Sequence, residues 1–363
     1  MVSAEKGLKP QVVFRADASA SIGSGHVMRC LTLADALRGE GAECHFICRE
    51  AEGNMLGYIA ERGYSAHGLP VDISPHEDAA QTAEIIKVIS PQASAAPYLV
   101  VDHYGLAKTW QQTLRPHTGG IMVIDDLADR PHDCDILLDQ NMVENFESRY
   151  KTLVPEGCMT LLGPQYALLR PEFAALRAKS KGGTFPPEHI FVNFGGGDQL
   201  GMTLRTLMAL AHAKFRGTLT VVAGHQNPDG AAIKTLCANR PNTNYYPATD
   251  KMAALMAAAD LAIGAGGSTT WERMCLGVPT LTVVTAPNQL EIAKCLGKQG
   301  LIYYAGQAES LDEQTLGEKI KHVFSDRRVF LDMRDKAQEL VDGKGTIKLA
   351  SEVHKVAKCP AMF

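Results

Sequence analysis

The feature that most constrains this chain is a repeated alternation of short apolar runs with longer amphipathic segments. QVVFRAD (11–17), AECHFICRE (42–50), YLVVDHY (98–104) and GIMVIDDLA (120–128) are near-continuous apolar runs that end in polar residues. Between them, HVMRCLTLADALRGEG (26–41) repeats its apolar positions at three and four and stops at Gly39 or Gly41. That spacing predicts a helix, as it does for 54–63, 78–90 and 108–117. YSAHGLP (64–70) reads as an edge element and CDILLDQN (134–141) as a short final strand. Apolar strands separated by amphipathic helices imply a parallel sheet covered on both faces.

The rhythm breaks in a stretch rich in Gly, Pro and Lys at 175–188, which reads as an interdomain linker. It then restarts: strands are expected at 189–197, 217–224, 243–249, 260–267, 279–286 and 301–306, with helices between and two terminal helical patterns. The expected architecture is α/β, with two Rossmann-like doubly wound domains facing across a cleft. The first domain is placed at 1–180 and the second at 181–345. A terminal helix at 346–363 is expected to cross back to the first domain. A length of 363 residues suits two such domains.

Composition narrows the function. Apolar residues make up 45% and charged residues 21%, with a net charge of −4, a balance that gives no support to a basic footprint for nucleic acid. No apolar run reaches the length of a membrane span, and the first residues lack an apolar signal core. A cytoplasmic monomer acting on a small molecule is expected, with no nucleic acid and no membrane partner. Nine scattered cysteines argue against a disulfide framework, and none has zinc-knuckle spacing.

In such sheets ligands sit beyond the C-terminal ends of the strands. The first strand end carries Gly23-Ser24-Gly25-His26, which lacks the third glycine of a dinucleotide fingerprint and any P-loop lysine. A glycine turn opening a helix still offers free N–H groups to an anion. His26 is either a packing or capping residue or a base within reach of substrate, since an imidazole can take a proton from water near neutral pH. Asp17 either orients that imidazole or caps the loop. Asp102, His103 and Tyr104 either meet a sugar or form a solvated loop.

In the second half, IGAGGSTTWERMCLGVP (263–279) joins a strand end, glycines and a helix start. The N–H groups of Gly267, Ser268 and Thr269 could hold phosphates. Glu272 is either a capping-box residue or an acceptor for ribose hydroxyls, and Trp271 is either core or a platform. Asn288 is either an N-cap or a ligand for water or a sugar hydroxyl, with Gln289 beside it. Gly196, within NFGGGD (193–198), permits close approach of ligand to backbone or forms only a turn. Asp125–Asp126 alone is weak evidence for magnesium. No G-x-S-x-G or H-E-x-x-H motif occurs. No metal and no cofactor is expected.

RADASASIGSGHVMRCLTLADAL (15–37), VDHYGL (101–106), IDDLADRPHDCDILLDQN (124–141), GPQYALLRPEF (163–173), VNFGGGD (192–198) and AAADLAIGAGGSTTWERMCLGVPTLTVVTAPNQ (257–289) together resemble the UDP-sugar hydrolases of bacterial pseudaminic acid biosynthesis. Those enzymes are relatives of the GT-B glycosyltransferases, and the resemblance covers residues 11–345. It implies metal-independent, inverting hydrolysis of UDP-2,4-diacetamido-2,4,6-trideoxy-β-L-altropyranose to UDP and the free sugar. It further implies that His26 is the general base, with Asn288 beside it in catalysis. Tyr104 would lie near the sugar, Gly267, Ser268 and Thr269 at the diphosphate, and Glu272 at the ribose. Asp17, Gly23, Gly25, Gly196, Gly266 and Gln289 complete the expected substrate-binding set. A GT-B glycosyltransferase using a UDP-sugar donor is the main rival; a nucleotide-sugar sensor and a hydrolysing 2-epimerase are others.

Overall fold

The computed structural model describes residues 9–91, 96–177 and 184–358. The chain divides into two compact units. Unit 1 comprises residues 1–140, 145–168 and 345–363; unit 2 comprises 141–144 and 169–344.

Unit 1 runs β1 (Gln11–Ala16), α1 (Gly25–Gly39), β2 (Glu43–Arg49), α2 (Leu56–Glu61), β3 (Ser65–Leu69), α3 (Pro75–Ile89), β4 (Tyr98–Asp102), α4 (Lys108–Leu114), β5 (Gly120–Ile124), β6 (Ile136–Asp139) and β7 (Met159–Leu162). The seven strands form one sheet in the order β3-β2-β1-β4-β5-β6-β7, with every pair parallel. Period-two alternation sends Val12 and Phe14 to one core cluster and Val13 to the other, so both sheet faces are covered. Local chemistry sets the helix ends. Ser74 and Glu77 form a reciprocal capping box with Pro75 in the first turn of α3. Gly41, at φ +93°, supplies the left-handed turn after α1.

Unit 2 runs α5 (Pro171–Arg177), β8 (His189–Asn193), α6 (Met202–His212), β9 (Thr218–Val222), α7 (Gly230–Asn239), β10 (Thr243–Tyr246), α8 (Met252–Ala257), β11 (Leu261–Ala265), α9 (Thr269–Cys275), β12 (Thr280–Val284), α10 (Leu290–Lys298), β13 (Tyr303–Gln307), α11 (Glu313–Val323) and α12 (Arg327–Leu340). Its six strands are also all parallel, in the order β10-β9-β8-β11-β12-β13. A final helix, α13 (Gly345–Lys358), belongs to unit 1 and packs against α1.

Three expectations need correction. The strand at 134–141 is not the last of its sheet: β7 follows, a four-residue strand too short to show periodicity and half-exposed at the sheet edge. The terminal pattern resolves into three helices, because Asp326 caps α12 through the Val329 N–H and a further break at Gly343 precedes α13. The expected boundary at 180/181 falls in 178–183, outside the described residues, as do 1–8 and the tail 359–363. The contacts instead divide the chain between Leu168 and Leu169, because α5 packs on α8 and α9 of unit 2.

In each sheet the strand order reverses once, between β1 and β4 in unit 1 and between β8 and β11 in unit 2. Helices leaving the two strands at such a point diverge to opposite faces and open a crevice beyond the strand ends.

Candidate functional site

The unit 1 switch point brings His26 and Asp102 together. Ala16 and Asp102 are register partners at the ends of β1 and β4, and His26 is the second residue of α1, the helix that follows β1. The Asp102 carboxylate is completely buried. It accepts from His26 Nδ1 at 2.6 Å and from Arg29 Nε and Nη2, each at 2.6 Å. Burial alone would raise the Asp102 pKa, but Arg29 and His26 outweigh it and hold the carboxyl far below the usual range. An ionised carboxylate only accepts, so Nδ1 carries the ring proton and Nε2 of the neutral ring carries the lone pair. Nε2 has no hydrogen-bond partner among the described residues, and the side chain is 12% exposed. This is the arrangement of an oriented base.

The surrounding groups lock the ring. The Tyr104 ring meets His26 edge-on, with centroids 4.7 Å apart. The Tyr104 hydroxyl donates to Asp126 at 2.8 Å, and Asp126 also pairs with Arg29 at 3.0 Å. Burial, reinforced by Asp126, pushes the Tyr104 phenol well above its ordinary pKa, so it remains a donor. Gly23, at φ +76°, turns the chain into α1, whose first N–H groups at Gly25 and His26 lie at the open helix end. The N-cap, Ser24, makes no side-chain capping bond there.

Asp17 does not orient His26. Its carboxylate accepts from Arg15 at 2.5 Å and from the Arg49 N–H at 2.7 Å, with His103 Nε2 at 3.2 Å. The Asp125–Asp126 pair is likewise divided. Asp125 accepts from Tyr150, Arg130 and two backbone N–H groups, whereas Asp126 faces Arg29 and Tyr104. Among the described residues no three His, Cys, Asp or Glu side chains gather as metal ligands.

Unit 2 assembles a second constellation at its own switch point. The turn 266–269 follows β11 and leads into α9; Gly266 is buried, Gly267 and Thr269 are half-buried, and Ser268 is exposed. Gln289, from the 3-10 turn Pro287–Gln289 after β12, holds this turn through Oε1, which accepts from the N–H groups of Gly266 and Thr285 at 3.2 and 3.0 Å. That carbonyl is committed to the fold, which narrows the ligand role expected of Gln289 to its amide nitrogen. Asn288 is exposed in the same 3-10 turn; the N-cap position of α10 belongs to Gln289, not to Asn288.

Two open alternatives close. Ser268 makes no capping hydrogen bond, so Glu272 is not part of a capping box. Glu272 instead lies 3.5 Å from Arg170, and burial raises its carboxyl pKa against the pull of Arg170 and Arg273. Trp271 is core, at 1% exposure. Asp198 of the glycine-rich loop caps α6 through the N–H groups of Met202 and Thr203. Gly196 is exposed beyond β8, with Gly224 seated against its backbone; a Cβ on Gly224 would collide with the Gly196 carbonyl, so no other residue fits there.

Sequence reasoning missed the partnership of His26 with Asp102 and the contributions of Arg29, Asp126, Arg170 and Arg273. One signal was available: His26 and Arg29 are three apart and so share a helix face. Their convergence on Asp102, 76 and 73 residues further along, could not be read from spacing.

Residues 194–349 match the glycosyltransferase family 28 C-terminal domain. The chain is 26% identical over 290 residues to the UDP-2,4-diacetamido-2,4,6-trideoxy-beta-L-altropyranose hydrolase of Campylobacter jejuni, spanning 80% of this chain and 97% of that protein. It is 30% identical over 194 residues to the spore coat polysaccharide biosynthesis protein SpsG of Bacillus subtilis, covering 52% of this chain and 56% of that one. Among solved structures, Acinetobacter baumannii MurG superposes with a TM-score of 0.70 at 14% identity, over 95% of this chain and 99% of that one. Among the described residues no helix is long and apolar enough to cross a membrane. The protein therefore has the GT-B fold of MurG, carries a match to the family 28 C-terminal domain, and is similar along most of its length to a UDP-sugar hydrolase.

Proposed function

We propose that the protein hydrolyses UDP-2,4-diacetamido-2,4,6-trideoxy-β-L-altropyranose to UDP and the free sugar, by attack of water at the anomeric carbon with inversion. The observation that carries this reading is the Asp102–His26 pair, with its tautomer set and Nε2 left open for a proton. The likeness to the C. jejuni hydrolase supports the choice of substrate.

In this scheme His26 Nε2 takes a proton from water as the oxygen bonds to the anomeric carbon. The bond from that carbon to the bridging oxygen breaks, and UDP leaves with the bridging oxygen. The N–H groups of Gly267, Ser268 and Thr269 face the diphosphate and stabilise the charge that grows on it. Glu272 accepts hydroxyls of the uridine ribose, and Asn288 positions the water or a sugar hydroxyl. No step is assigned to a metal.

A glycosyltransferase reading is favoured by the family 28 match and the MurG fold. Reaction in H₂¹⁸O without any acceptor separates the two. Hydrolysis is expected to release free sugar bearing ¹⁸O at the anomeric position, with unlabelled UDP. Label in the phosphate of UDP, or no turnover until an acceptor is added, would refute it. Replacing Glu272 with Ala is expected to raise KM for the UDP-sugar by about 10-fold or more, with kcat within about 3-fold. A loss confined to kcat in steady-state assays would remove Glu272 from the ribose.

A further inference from the structure

The guanidinium of Arg273 is a buried cation with no ion-pair partner among the described residues. The side chain is completely buried, and no carboxylate forms an ion pair with it among the described residues. Nη2 donates to the Ala265 carbonyl at 2.6 Å and to Thr270 Oγ1 at 3.0 Å. Nε and Nη1 have no hydrogen-bond partner among the described residues. Nη1 lies against Gly264, where a Cβ would collide with it and with the Asn193 carbonyl, so the group is wedged beneath the ends of β8 and β11. Burial pushes its pKa down to about 10, and neighbouring Glu272 only partly opposes this. A buried charge without an ion-pair partner is costly to a fold, and the unpaired N–H groups of Nε and Nη1 add to that cost. Its place accounts for it: Ala265 and Thr270 are the two residues that flank turn 266–269.

We propose that Arg273 is a positioning residue for that turn, whose two flanks its Nη2 ties together and whose diphosphate ligand supplies the missing counter-charge. The proposal rests on the reading that turn 266–269 takes the diphosphate of UDP. Arg273 does not touch the ligand. It holds the Ala265 carbonyl inward and places a positive charge, unscreened by water, behind the N–H groups of the turn.

Calorimetric titration of the full chain with UDP and, separately, with uridine tests this, because uridine lacks the diphosphate. Arg273→Met is expected to weaken UDP by about tenfold or more while uridine affinity stays within about twofold. Arg273→Lys keeps the charge but carries it on a shorter stem with a different donor geometry, so its selective loss should be smaller, about threefold. Unchanged UDP affinity in Arg273→Met, or equal losses of UDP and uridine, would overturn the proposal. If circular dichroism shows that Arg273→Met is unfolded, Arg273→Lys decides alone, and an unaltered ratio of UDP to uridine affinity overturns it. A wild-type chain that binds uridine but not UDP would instead sink the diphosphate reading, and this proposal with it.

Discussion

Replacing His26 with Asn is expected to lower kcat for the UDP-sugar by ~10²–10⁴-fold, with UDP affinity within about twofold of wild type. Asparagine can hydrogen-bond but cannot take the proton of the attacking water. The imidazole presents Nε2 as an acceptor only because the ionised Asp102 claims the Nδ1 proton. Stability should change little, since the His26 side chain is partly exposed and Arg29 continues to satisfy Asp102. Parallel steady-state and UDP-titration measurements check both halves. Equal losses of turnover and UDP affinity would refute the role of base.

Asp102→Asn should be the more damaging change, because it strikes the site and the fold together. The carboxylate accepts from His26 Nδ1, Arg29 Nε and Arg29 Nη2, and a carboxamide offers only one acceptor atom. If its oxygen faces Arg29, its NH₂ faces His26, and the ring must turn Nδ1 into an acceptor. The proton then moves to Nε2, which can no longer serve as base. Turnover is expected to fall by ~10²–10⁴-fold at temperatures where the variant stays folded. Leaving Arg29 with only part of its partner set should also cost about 3–5 kcal/mol of stability, seen as a lower denaturant midpoint. His26→Asn combined with Asp102→Asn should be no slower than the worse single variant, because the two residues act as one unit. Additive losses in rate would mean that Asp102 serves the fold alone.

Much of this architecture was legible from period and punctuation. Runs such as YLVV and GIMVI are apolar at every position, which only a strand covered on both faces tolerates, and they are the buried strands β4 and β5. Elements whose burial is partial were harder to read. β7 has one buried residue in four and carries no alternation, so nothing local distinguished it from a loop. The glycine turns were legible as turns, because Gly23 needs positive φ. Their partners were not, since Gln289 reaches Gly266 from the end of another strand.

The sequence by itself determined that the chain alternates strand and helix, that its strands run parallel, and that its polar residues collect where strands end. These follow from local propensity and hydrophobic period, which act over a few residues. Only the tertiary structure decided which polar residues meet. Asp17 and Asp102 both stand at strand ends in the same sheet, yet Asp17 is absorbed by Arg15 and Arg49 while Asp102 takes His26. The same holds for Arg273, which is wedged between the nearby end of β11 and the Asn193 carbonyl at the end of β8, distant in sequence. Burial and pairing of charge depend on sheet order and register. Those are set by how many distant apolar surfaces pack at once, and no short window of residues contains that information.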